Sequence, residues 1–164
     1  MLKQITNSKE CLACKIPCCI FLKKYKEYAP YLSDDEKEKL SKNKMINEKM
    51  LSGAEGEWRL KLNEKGGKLF CCCVDSETKK CNIYSQRPLD CQMYPLLLMK
   101  SEGGNKVLIA ADDSCPIVKK KTKEELKRHA EYMRKFFKGK KYYLYKNKKM
   151  VCPFEKESMI IGQI

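Results

Sequence analysis

Eleven cysteines and a single histidine, His129, define the chemistry open to this 164-residue chain. The cysteines come in groups: Cys11, Cys14, Cys18 and Cys19, then Cys71, Cys72 and Cys73 with Cys81 and Cys91 beyond them. Cys115 and Cys152 stand apart, each followed by proline, which biases the cysteine backbone away from helix. Thiols at such short steps suit a soft metal, because a tight loop brings two sulfurs to one ion. With one histidine on offer, any site must be almost wholly thiolate, which fits zinc, iron–sulfur clusters or Cu(I). Disulfides are the weaker explanation. The count is odd, the chain is not very short, and the first twenty residues lack a secretory apolar core. The same reading gives a cytoplasmic location as the expectation. Burial as small hydrophobes accounts for a single thiol but not for the clustering.

The elements that must position these thiols are legible in part. Pro17 and the dense cysteines make residues 11–19 a loop. Residues 20–28 read as a short helix. Ser33 opens a capping box with Glu36, and an amphipathic helix is expected from there to about Leu51, ended by Gly53 and Gly56. Trp58, Leu60 and Leu62 then alternate with charged residues, as in a half-buried strand; Gly66-Gly67 turns the chain, and residues 68–74 return as its partner. A second hairpin spans 93–111 around Gly103-Gly104-Asn105. The clearest helix starts at Thr122, a second capping box with Glu125, and carries Leu126, Ala130, Met133 and Phe137 on one face up to Gly139. Residues 142–145 read as a short strand and 151–164 as a tail. The fold class expected is α+β: one small domain, 1–164, with helices, short β-hairpins and long irregular loops wrapped around cysteine-ligated metal centres.

Thirty-five lysines and arginines against 21 acidic residues give a formal charge of +14. Eight ligating thiolates and two metal centres would bring this to about +10, still basic. Only Arg59, Arg87, Arg128 and Arg134 are arginine, and lysine reads as spread along the chain. Base-reading sites lean on arginine, so nucleic acid is an open but not a favoured partner; a protein redox or enzyme partner is expected instead. The apolar runs are too short to span a bilayer, so no membrane role is expected. No phosphate loop, nucleophile–base pair or paired carboxylates stand out, and catalysis would need a metal centre with an open position.

The residues match a known pattern. The N-terminal cysteines, the Leu32-Ser33 segment, and the run Cys72, Cys81, Ile83, Tyr84, Arg87, Pro88, Cys91, Tyr94 and Pro95 resemble the CxxCxxCC (YkgJ-type) cysteine-cluster family, described as zinc- or iron-chelating. The resemblance spans about residues 11–116; the Thr122 helix and residues 122–164 lie outside it. It implies a metal-binding module, with iron–sulfur ligation in relatives that include a flagellin lysine methylase. Lys15-Ile16-Pro17 sets three residues before the cysteine pair where the family has two.

On this resemblance the ligand set is Cys11, Cys14, Cys18, Cys19, Cys72, Cys81, Cys91 and Cys115, enough for two four-thiolate centres. In a strand, Cys71 and Cys73 would face away from Cys72, leaving them in the core or for another site. Adjacent Cys18 and Cys19 are likewise expected to point apart. Arg87 is placed near sulfur or paired with Asp90, and Tyr84 and Tyr94 behind the ligands. His129 is expected to face solvent. The expected cofactor is an iron–sulfur cluster, [4Fe–4S] and two in number, serving electron transfer, redox sensing or a modifying enzyme; the alternative is a zinc-stapled module whose basic surface meets an acidic partner.

Overall fold

The computed structural model describes residues 2, 4–6, 9, 10, 13, 14 and 18–164, with 141, 142 and 145 as backbone only. The architecture is α+β, in two compact units: Cys11–Cys91, and Met1–Glu10 with Gln92–Ile164.

In chain order the first unit holds β1 (Ile20–Leu22), β2 (Tyr31–Leu32), α1 (Asp34–Lys42), β3 (Leu51–Ser52), β4 (Trp58–Leu60), β5 (Leu62–Lys65) and β6 (Lys68–Cys71). Residues 20–28 are therefore a strand followed by a 3-10 helix, Lys23–Tyr28, rather than one helix. The expected capping box is present: the Ser33 hydroxyl accepts from the Glu36 N–H while the Glu36 carboxylate accepts from the Ser33 N–H. The helix nevertheless stops at Lys42, short of Leu51. Lys44 takes a left-handed φ of 55°, and its N–H and that of Met45 reach back to Ser41 O and Leu40 O. These paired bonds satisfy the last carbonyls and reverse the chain.

The alternating stretch from Trp58 also splits. β4 pairs with β2 and β3, whereas β5 pairs with β6, so Lys61 is a junction between two three-stranded sheets. Gly66 and Gly67, both at positive φ, make the tight turn that sets Lys65 opposite Lys68. The core of this unit joins Leu32, Leu40, Ile46, Leu51, Leu60 and Ile83 to two thiols, Cys71 and Cys73.

Next along the chain come α2 (Leu89–Met93), β7 (Leu96–Lys100), β8 (Val107–Ala111), α3 (Lys123–Phe137), α4 (Lys141–Lys146), β9 (Val151–Cys152) and β10 (Met159–Gln163). β7 and β8 form the expected hairpin, starting at Leu96 because Leu89–Met93 is helical. Residues expected as a strand near 142–145 are helix α4, and the expected tail supplies both edges of the sheet, ordered β10-β8-β7-β9. The apolar face of α3, made by Leu126, Ala130, Met133 and Phe137, is buried, and α3 packs on β10. Gly162 permits that approach: a Cβ there would stand 3.2 Å from the Ala130 Cβ. No described helix is long and apolar enough to cross a membrane.

Candidate metal centre

The centre is assembled where β6 ends. The expected strand to Val74 closes at Cys71, because the Val74 N–H turns back to Cys71 O at 2.9 Å. This turn overturns the expectation that Cys72 faces away from its neighbours. The sulfurs of Cys71, Cys72 and Cys73 all lie within 4.8 Å of one another, and Cys72 and Cys73 are 3.8 Å apart. Among the described residues no other three metal-ligating groups are gathered so closely.

Three local devices bring further thiols to the triplet. β1 runs antiparallel to β6, with Ile20 opposite Phe70, and the Cys71 N–H donates to Cys19 O at 2.9 Å. Cys19 is thereby held beside the turn. The Asp75 carboxylate accepts from the N–H groups of Glu77 and Thr78 and from the Thr78 hydroxyl, shaping a loop that brings the chain back. Cys81 then bridges to Val74, and the Asn82 N–H donates to Cys73 O at 2.8 Å. Finally, α2 carries Cys91, and two carboxylates hold its start. Glu36 Oε1 accepts from the Leu89 N–H at 2.6 Å, and half-buried Asp90 accepts from the Tyr31 N–H at 2.9 Å.

Glu36 was legible in the sequence as a capping residue. In the structure one carboxylate caps α1 and anchors the helix that bears Cys91. Nothing in the sequence marks that second bond, which joins residues 53 apart.

The electrostatics describe two overlapping thiol sets. Within the triplet, hydrogen bonds from Cys71 and then Cys73 hold Cys72 well below the usual thiol range, while Cys71 and Cys73 are pushed up. Met50 O also lies 3.3 Å from Cys72 Sγ, an acceptor that opposes ionisation of this thiol. The physical content is that one thiolate is tolerated and further ones repel it, until a cation neutralises them. The second set surrounds Cys91, whose thiol is pushed well up by burial first, then by the charges of Asp90, Cys18, Cys71 and Cys81. Cys81 is raised by burial and feels Cys71 and Cys18 as well. Cys18 is raised chiefly by a hydrogen bond with Cys19, so these adjacent side chains meet rather than point apart. Arg87 opposes the upward shifts of Cys18 and Cys81. Its guanidinium lies 3.6 Å from the centre of the Tyr84 ring and donates to Tyr84 O at 3.0 Å. Tyr84 thus supports the arginine that faces the thiols.

Other expected site residues fall elsewhere. Cys14 is half-buried, and Cys11 lies outside the described residues. Cys115 is buried in the second unit, and Cys152 is half-buried at the end of β9. The Tyr94 hydroxyl donates to Asp112, which also accepts from the Ser114 N–H and hydroxyl and is a turn residue. His129 is half-buried with its ring tilted against Tyr132, not solvent-facing. No disulfide joins any of the ten described cysteines.

The donor set fits a metal. In a tetrahedral zinc–thiolate site, with bonds of about 2.3 Å, neighbouring sulfurs stand about 3.8 Å apart, the separation of Cys72 and Cys73. No solved structure matches the chain. The family described as "CxxCxxCC: Putative zinc- or iron-chelating domain" matches residues 10–116, from the N-terminal thiols through β8 to just past Cys115, and this chain belongs to that family.

Proposed function

We propose that the chain is a metal–thiolate protein in which the Cys71-Cys72-Cys73 turn binds a single zinc or iron ion, with Cys81 or Cys19 beside it as the fourth donor. The observation that carries this is the mutual 4.8 Å limit on the three sulfurs. One ion draws its sulfurs that close, whereas each thiolate of a cubane binds a different iron and the sulfurs spread wider. A closed four-thiolate site of this kind supplies folding energy and leaves no position for substrate. The bound ion organises the unit, and Arg87 with its Tyr84 support offsets residual negative charge.

A second reading has its own support. Cys91 feels the charges of Cys18 and Cys81, and Cys81 that of Cys18, with Cys71 common to both sets, yet these thiols do not gather as tightly as the triplet. That looser arrangement suits an iron–sulfur cluster, with Cys14 as a further thiol, serving electron transfer, redox sensing or a modifying enzyme. Air-free purification with elemental analysis and cobalt substitution separates the two. A colourless protein holding one zinc, whose cobalt form loses its thiolate charge-transfer bands in C72S/C73S, supports the single-ion site. A brown protein holding iron and sulfide, bleached in C81S/C91S and intact in C72S/C73S, replaces it with the cluster.

A further inference from the structure

The positive charge of this protein is not evenly spread. Residues 119–149 hold fourteen lysines and arginines against three glutamates, so this segment carries most of the formal charge of +14. It lies beyond residue 116, where the chelating family ends, and the metal–thiolate reading gives it no task.

The structure leaves much of this charge exposed, with a share of it along one helix. α3 turns its apolar residues into the core, so its outer face is set by Lys123, Lys127, Arg128, Arg134 and Lys135, all exposed. Lys119 and Lys120 precede the helix and Lys138, Lys140, Lys146 and Lys148 follow it, all exposed. The acidic residues cancel part of this: Glu131 pairs with Arg134 in a two-pronged bond of 2.6 and 2.7 Å, and Glu125 caps the helix through the Thr122 N–H, which leaves Lys123, Lys127, Arg128 and Lys135 as the remaining cations of the helix. At helical spacing, side chains four apart rise about 6 Å, so the cations from Lys123 to Lys135 extend over about 18 Å of the helix.

We propose that this face binds the phosphate backbone of nucleic acid without regard to sequence. A row of fixed cations is complementary to a ligand with regularly repeated negative charge, and a nucleic-acid strand offers one phosphate per nucleotide. Twelve of the fourteen basic residues are lysine, which serves as a point charge for phosphate, whereas base reading relies on arginine forks. A lipid surface fits less well. A helix that lies in a membrane needs its apolar face for the bilayer, and here Leu126, Ala130, Met133 and Phe137 are committed to the core.

The test uses the full metal-loaded chain and a labelled short duplex of mixed sequence, with affinity followed by anisotropy against salt. Binding should weaken steeply as salt rises. K127Q/K135Q should cost about tenfold at low salt and reduce the salt slope by about two. K49Q/K80Q, which removes the same charge from exposed sites in the other unit, should stay within about twofold. Matching melting curves keep folding out of the comparison. The proposal is overturned by equal losses in both variants, by no binding at low salt, or by binding to phosphatidylserine vesicles with none to the duplex.

Discussion

The unit Cys11–Cys91 and the unit containing β7–β10 and α3 solve the problem of a small core in different ways. The second uses regular structure. A four-stranded sheet and a 15-residue helix bury Leu96, Ile109, Met133 and Phe137 completely. The first has strands of two to four residues, and its core cluster includes Cys71 and Cys73. Such short ladders are marginal by themselves. Thiols that repel one another when ionised add no cohesion until a cation joins them. Regular burial holds one region; on the proposed reading an inorganic centre completes the other.

Removing the metal tests this difference most severely. Structural zinc can contribute on the order of 10 kcal/mol of apparent binding free energy. Chelation should therefore collapse hydrogen-exchange protection at β4–β6 while leaving β7, β8 and α3 protected. Equal loss in both regions would show that the second unit has no independent stability. The converse break is Phe137→Ala. Phe137 has 0% exposure in the sheet–helix core, and its truncation should cost about 3–5 kcal/mol. Denaturant melts should register that loss, with metal content per chain unchanged.

The same contrast explains what could be read from sequence. The Thr122 helix was legible because its capping box and its apolar spacing say the same thing, and the hairpin at Gly103-Gly104 because turn residues separate two apolar runs. The family was legible from Cys72 through Pro95. The geometry of the triplet was not: alternation within a strand sends adjacent side chains apart, and only a backbone turn from Val74 to Cys71, set by tertiary contacts, draws all three sulfurs together. The 142–145 segment was misread for a related reason. Its aromatic composition favours a strand, yet the segment forms α4. Local preference is a weak guide where neighbours decide.

The smallest expected effect distinguishes positioning from ligation. Glu36 touches no sulfur in the hydrogen-bond network that defines it; it accepts from Ser33 and from Leu89, and so ties the α1 start to the helix carrying Cys91. Glu36→Ala leaves the Leu89 N–H without that acceptor, which should cost about 1–3 kcal/mol. If Cys91 serves a metal, its displacement should also weaken binding by about 10–100-fold, the usual range for a residue that orients a ligand. Glu36→Gln keeps one acceptor oxygen and should recover a large part of both losses, whereas a purely electrostatic role for the carboxylate predicts no recovery. Metal competition titrations on the two variants read this directly. If Glu36→Ala lowers the melting temperature but leaves metal affinity untouched, the α1–α2 tie belongs to the scaffold alone, and the thiol set around Cys91 does not depend on where that helix begins.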